Sequence, residues 1–312
     1  MHPNDYNQVV RDFKFQATLL LKEALNIQDV NYHSPLHVAS FFGDFKASRV
    51  MVKKGAEPSS AAYPTRPLEV GKDKFSRGVL QNLNKAATEA NTKELKFLVN
   101  CGNQIDKRQS IFGEAPIHKA VLSHERVEEK KVTLDTILEQ CHANVNNIDS
   151  NGWTALHHSA YIGDLESASS LIENGANVNA FSNQQRTPLH MAAAKNHIKL
   201  IAGLLMRHAE LEQLDEQKCT PLHMACKKGS NDAVTMLLQN GANIYAQDER
   251  SWTALHYAAY NGHAQIVNFL LKWEADGDAL ADMRTSQSRL AFNMAKDQET
   301  KKAFIRKLKT IL

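Results

Sequence analysis

Thr154-Ala155-Leu156-His157, Thr187-Pro188-Leu189-His190, Thr220-Pro221-Leu222-His223 and Thr253-Ala254-Leu255-His256 repeat one phrase four times, with 33 residues from each His to the next. Eighteen residues after each His a second signal returns, as Gly175-Ala176, His208-Ala209, Gly241-Ala242 and Glu274-Ala275. A fixed period of this length marks a stacked array, each unit burying its apolar side against the next. The residue types suit the start of a helix. A Thr hydroxyl accepts a hydrogen bond from an otherwise orphan amide of the first turn. Pro at the first helical position gives up an N–H that has no partner there. Leu-His-x-Ala-Ala then puts one apolar and two small side chains on one face, which lets a neighbouring unit come close. A second helix carries Leu204-Leu205, Leu237-Leu238 or Leu270-Leu271, and Gly in the left-handed conformation ends it. A polar turn such as Asn177-Val178-Asn179-Ala180 leads to the next Thr.

Several in-phase copies of this phrase resemble the ankyrin repeat. The resemblance implies an all-α, ankyrin-repeat α-solenoid of about eight to nine units, each a β-turn finger and two antiparallel helices, with helical caps. It covers nearly the whole chain. It implies that the signature imidazoles His37, His118, His157, His190, His223 and His256 are structural, tying a helix start to the adjoining finger. It also implies that partners are bound by the finger residue just before Thr and by the exposed side of the first helix.

Composition narrows the function. The 312 residues hold 37 basic and 34 acidic side chains for a formal charge of +3, without the basic excess of a nucleic-acid binder. Cys101, Cys141, Cys219 and Cys226 form no Cys-x-x-Cys pair and no metal spacing, so they read as structural thiols of a reducing compartment. No apolar run reaches the roughly 18–20 residues of a membrane span. The segment Met1-His2-Pro3-Asn4-Asp5 lacks the charged-then-apolar pattern of a secretory signal. A soluble, cytoplasmic protein is expected. Phosphate-loop, His-Glu-x-x-His and Gly-x-Ser-x-Gly motifs do not occur in the sequence. Histidines spaced one per repeat lie in a row, whereas a metal site needs its ligands around one ion. The expectation is a non-catalytic protein with no cofactor and no metal.

Taken in order, residues 7–26 carry Val10, Phe13, Ala17, Leu20, Leu21, Ala24 and Leu25 at helical spacing, which predicts an N-terminal capping helix within residues 1–32. A first segment, 33–80, opens with Ser34-Pro35-Leu36-His37 and reaches Gly55-Ala56. It closes on the shortened stretch Arg66 to Leu80, which has no Gly-Ala ending. The main array is assigned to 81–289, and a second shortened unit of the same pattern, from Leu290, to 290–312. Two readings stay open for residues 66–80: the end of a separate array, or a shortened unit inside an unbroken one. Between His118 and His157 the spacing grows to 39, the extra residues lying near Glu125 to Lys131. Their mixed charge reads as a solvated helix extension or an exposed loop, with a partner-facing insertion as the alternative; a solvated loop is the preferred expectation. His142, His208 and Glu274 stand where Gly ends the other second helices, which predicts strained joints.

What remains is surface. Just before Thr stand Trp153, Arg186, Cys219 and Trp252; four after it stand His158, Met191, Met224 and Tyr257; seven and eight after it stand Tyr161 and Ile162, Ala194 and Lys195, Lys227 and Lys228, Tyr260 and Asn261. These rows predict one face with aromatic ends and a basic middle, rich in the residue types of interface hot spots. Such a face suits a protein with an acidic stretch between apolar anchors. A scaffold for protein–protein interaction is the first reading. A component of a cytoskeletal or ciliary (axonemal) assembly and a regulatory adaptor or inhibitor of an enzyme are the alternatives. The tail, Lys301 to Leu312, sets Phe304, Leu308 and Ile311 against Lys302, Arg306, Lys307 and Lys309, a pattern of a cap more than of a membrane-surface helix.

Overall fold

Each of the four Thr-x-Leu-His phrases opens a short helix: Ala155–Ile162, Pro188–Ala194, Pro221–Lys228 and Ala254–Asn261. These come from a computed structural model that describes residues 112–273 and 277–311, and before them 21, 24–26, 35–36, 45–54, 56, 83–100 and 104–106. The chain divides into two units, Met1–Asn144 and Val145–Leu312. The division expected near residue 80, the shortened unit Arg66 to Leu80 and the joint at Glu274 lie outside the described residues.

In the second unit each first helix is followed by an antiparallel partner: Leu165–Glu173, Ile198–Met206, Asn231–Gln239 and Ala264–Trp273. The Leu of each signature, Leu156, Leu189, Leu222 and Leu255, is at most 1% exposed, and Leu171, Leu204, Leu237 and Leu270 of the second helices are fully buried. Burying one such side chain contributes roughly 1.5–3 kcal/mol. The small residues work as expected: Ala192, Ala193, Ala225, Ala258 and Ala259 are sealed between first helices of successive repeats.

The polar turns fold into fingers. In each one the backbone N–H of the residue five before the helix start's Thr donates to the carbonyl of the residue just before Thr, as in Asp149 to Trp153 at 2.9 Å, Ser182 to Arg186 at 2.9 Å, Asp215 to Cys219 at 2.9 Å and Asp248 to Trp252 at 3.0 Å. Successive fingers are joined by single backbone bonds: Asn183 N–H to Asn151 O, Glu216 to Gln184, Glu249 to Gln217 and Ser286 to Arg250, at 2.9–3.1 Å. Among the described residues this pairing makes no named strand, and the bridges Ile148–Thr154 and Arg284–Leu290 stay isolated.

Two further rows of bonds cross each joint. Asn146, Asn179 and Glu212 accept, on their side-chain oxygens, the backbone N–H of Asn177, Glu210 and Asn243 one repeat later, at 2.8–2.9 Å. At the other end of the first helices, His197 Nε2 meets Tyr161 O at 3.1 Å, Ser230 Oγ donates to Ala194 O at 3.1 Å, and His263 Nε2 meets Lys227 O at 3.4 Å. The chemistry of this last row alternates for a steric reason. Gly163 and Gly229 end their helices at φ +84° and +79°, and a Cβ there would stand 2.5 Å from His197 Nδ1 and 2.7 Å from His263 Cε1. Asn196 takes the same left-handed position at φ 61°, and the residue above it is the small Ser230. Asn196 uses its side chain instead, accepting the Ala233 N–H at 2.8 Å and donating to Asp232 Oδ2 at 3.1 Å.

The last described segment copies a repeat in shortened form. Thr285 N–H donates to Arg289 O at 3.0 Å as in the other fingers. A 3-10 turn, Ala291–Met294, replaces the first helix and packs on Ala254–Asn261, while the helix Gln298–Ile311 packs on Ala264–Trp273. Thr300, Ala303 and Phe304 are buried there, so this helix covers the array up to Phe304.

In the first unit the helices Thr92–Asn100, Pro116–Leu122 and Val127–Asp135 bury Leu95, Leu98, Ile117, Val121 and Leu134. Around Phe45–Lys53, a smaller cluster joins Leu25, Met51, Val52 and Phe97 to buried Leu36 and Ala56. The inserted charges do not form a loop. Glu125 and Arg126 lead into a helix at Val127, which runs on through a π-turn, Thr136–Gln140. The helix exposes its first part, with Glu128, Glu129 and Lys131, and buries Thr133, Leu134, Thr136 and Ile137 further along.

The joints without Gly are strained as expected, His142 at φ 52° and His208 at φ 63°, where Gly175 and Gly241 stand at 85° and 90°. Replacing His208 by Gly removes about 1–2 kcal/mol of left-handed strain against a smaller loss from a freer unfolded chain. His208→Gly is therefore expected to raise the melting temperature by a few degrees. A second test concerns the alternating joint. Gly229→Asn alone should lower stability by roughly 2 kcal/mol, and adding His263→Ser should restore most of it, as read by urea denaturation.

Candidate functional site

The histidines are the first candidates for chemistry. In each regular repeat the imidazole Nδ1 accepts the backbone N–H of the helix-opening Thr at 3.1 Å. The proton therefore sits on Nε2, which donates one repeat ahead: His157 to Arg186 O at 2.8 Å, His190 to Cys219 O at 3.1 Å, and His223 to Ala246 O and Trp252 O at 3.0 and 3.1 Å. His256 faces the Arg289 and Met283 carbonyls of the shortened unit, without strict hydrogen-bond geometry at Nε2 among the described residues. In the first unit His118 Nδ1 accepts the Ala115 N–H at 3.0 Å. His157, His190 and His223 are latches between neighbours, and all five rings are 0–1% exposed. Burial pulls His157 and His190 down to about 4 from an ordinary 6.5, against the opposing pull of the Arg186 and Cys219 carbonyls. His223 and His256 are lowered by burial in the same way.

The second candidate is the strip along the fingers and first helices, all of it inside Val145–Leu312. At one end Trp153 packs on His158 and Tyr161, with ring centroids 5.1 and 5.4 Å apart. At the other, three repeats on, Trp252 packs on Tyr257 and Tyr260 at 5.1 and 5.3 Å. Contacts across every joint between them make the strip continuous. Lys195 Nζ lies 4.1 Å over the Tyr161 ring, Arg186 Nε reaches Asp215 Oδ2 at 3.2 Å, and Lys227 Nζ lies 5.4 Å over Tyr257. Tyr161, Ile162, Lys195, Lys228 and Tyr260 are exposed, while Trp153, Arg186, Lys227 and Trp252 are half-buried.

The row four residues after Thr is not surface. His158, Met191, Met224 and Tyr257 are 9%, 5%, 5% and 2% exposed, so they form the floor beneath the strip. Cys219, just before Thr, is equally buried, with its thiol 3.4 Å from Tyr257 Oη and pushed up to about 11 by desolvation. The cause is the finger, which folds its last residue down over the first helix.

That floor hangs on three carboxylates that the signature does not reveal. Asp149, Asp215 and Asp248 are 3–5% exposed. One oxygen of each accepts two backbone N–H groups of its own finger at 2.8–2.9 Å. The other is met by a residue of the strip: His158 Nε2 at 3.1 Å, Arg186 Nε at 3.2 Å and Tyr257 Oη at 2.7 Å respectively. A sequence signal does exist, since each Asp stands five residues before the Thr of its phrase.

Residues 127–215 and 200–280 match the family model described as ankyrin repeats (3 copies). Residues 127–280 carry ankyrin repeats. Among solved structures it is similar to the ankyrin repeat domain of human ASB11, at 24% identity over 72% of this chain and 96% of that one, with a TM-score of 0.59. It is also similar to the ankyrin repeat domain of Bcl-3, described as a unique member of the IkappaB protein family, at 23% identity over 72% and 97%, also at 0.59. At this identity the two show the fold. No curated protein matches the chain. Ankyrin repeats are in general non-catalytic interaction domains, which agrees with imidazoles committed to backbone bonds. Among the described residues no helix is long and apolar enough to cross a membrane.

The latches of these ankyrin repeats make stability depend on pH. Their folded pKa lies below the unfolded value, so between about 6.5 and about 4 the unfolded chain binds the extra protons. Stability is complete above that window and falls as pH decreases through it. Urea denaturation at pH 7.5, 6.0 and 5.0 should show a steady loss of unfolding free energy. A flat profile would mean that the rings are not held neutral.

Proposed function

We propose that this chain is a non-catalytic scaffold that binds a partner protein along the strip from Trp153 to Tyr260. The observation that supports this reading is the pair of matching aromatic clusters, Trp153 with Tyr161 and Trp252 with Tyr260, joined by exposed or half-buried cations. Three repeats at the roughly 10 Å spacing of packed helices put the clusters about 30 Å apart. An extended segment of roughly nine residues spans that distance. A partner carrying an apolar anchor at each end and acidic residues between would meet rings with rings and cations with carboxylates. Aromatic anchors supply most of the energy in such contacts, and charges set orientation and rate.

The test keeps the floor intact and removes the two exposed rings. Tyr161→Ala/Tyr260→Ala should retain the circular dichroism and melting curve of the wild type. Affinity purification followed by mass spectrometry should then lose the proteins that the wild type retains, with at least a tenfold drop in affinity for any one measured directly. An unchanged set of bound proteins would move the partner site off this strip.

A further inference from the structure

The fourth-repeat end of the strip carries a group that the row spacing did not single out. Arg250 occupies the finger position that holds Asn151, Gln184 and Gln217 in the other repeats. Its guanidinium lies 4.9 Å over the Trp252 ring, and one Nη2 hydrogen goes to Tyr257 Oη at 3.2 Å. The nearest carboxylate is already occupied. Asp248 Oδ1 accepts the N–H groups of Arg250 and Trp252 at 2.8 Å, Oδ2 accepts the Tyr257 hydroxyl at 2.7 Å, and Arg250 Nε makes only a long ion pair with Oδ2 at 3.8 Å. The Arg250 side chain is 47% exposed. Its Nη1 donors are left for a ligand, while the aromatic face and the Tyr257 hydroxyl hold the fork in place.

A second cation arrives from the preceding repeat. Lys227 Nζ sits over the Tyr257 ring, whose centroid is 5.1 Å from that of Trp252. Arg250 and Lys227 thus flank one aromatic pair, with Lys228 exposed beside them. The first-repeat end differs. It has Asn151 at the finger, and the cation recorded on its rings is Lys195, over Tyr161. A cationic anchor on the Trp252 pair would face two like charges, whereas a carboxylate would meet a preorganised fork that fits it bidentately.

The geometry points to an acid-reading subsite at this end: Arg250 and Lys227 receive the carboxylate of an Asp or Glu in an extended protein segment, and Trp252 and Tyr260 take the apolar residue next to it. This deepens, and rests on, the reading of the strip as a partner site. Because the acid is read at one end, the bound segment has a fixed direction along the array.

The test is a selection from a random displayed-peptide library on the full chain, followed by anisotropy titration of the enriched peptides. Enrichment of Asp or Glu beside an aromatic or large aliphatic residue is expected. Arg250→Gln and Lys227→Met should each weaken such a peptide about tenfold, the loss of one charge-assisted hydrogen bond, and reduce its sensitivity to salt. Changing the peptide's acid to its amide should cost up to about a hundredfold on the wild type and only about tenfold on Arg250→Gln, where Lys227 alone still meets the acid. Lys227→Met leaves the Asp248 finger untouched, so a loss there is not a folding defect. Peptides without acidic preference, or with affinities that neither substitution changes, overturn the subsite and leave the strip standing. Peptides indifferent to Tyr161→Ala/Tyr260→Ala overturn the strip itself.

Discussion

A neutral imidazole serving two neighbours is the interaction on which this array depends. Its Nδ1 closes the start of its own helix on the Thr amide, and its Nε2 proton closes the next finger on a backbone carbonyl. The Nδ1 bond does not survive protonation, so the ring has to stay neutral; burial keeps it so, and burial requires the small residues that bring the next repeat within reach. The Leu, Ala and Thr of the signature follow from that one requirement. A repeat without its neighbour would leave both a polar nitrogen and an apolar flank exposed, which is why stability here belongs to pairs of repeats.

The floor of the strip shows how support and recognition divide the same residues. Asp149, Asp215 and Asp248 each hold their finger by two amides and reach one strip side chain with the second oxygen. Tyr257 and His158 are spent on that support, and Arg186 is tethered by it. The groups left facing outward are Tyr161, Ile162, Lys195, Lys228, Tyr260 and the exposed part of Arg250. Rigid support under the exposed cations lowers the entropy that binding has to overcome.

Much of the second unit was legible from its period, because a strict spacing of signature residues leaves little freedom in what they touch. His208 adopts the left-handed turn for that reason: its place in the repeat fixes the backbone before the side chain has any say. The burial of Met191, Met224 and Tyr257 was not legible. Distance from Thr puts them on the finger side of the helix, but the finger then folds its own last residue over them. Asp149, Asp215 and Asp248 escaped notice because a carboxylate in a polar turn looks solvated until the turn closes around it. The charged insertion reads as a loop in the sequence because its apolar positions, Leu134 and Ile137, lie beyond the charges. Residues 57–82, on which the first boundary turns, lie outside the described chain.

The alternation of glycine under histidine and asparagine under serine also limits how such a chain can change length in evolution. Excising the repeat that begins near Val178 would bring Gly163 under Ser230, leaving a gap. Excising the next would bring Asn196 under His263, where a ring already crowds a bare backbone. Units of equal length are therefore not interchangeable parts, and a viable gain or loss has to carry its matching neighbour along with it.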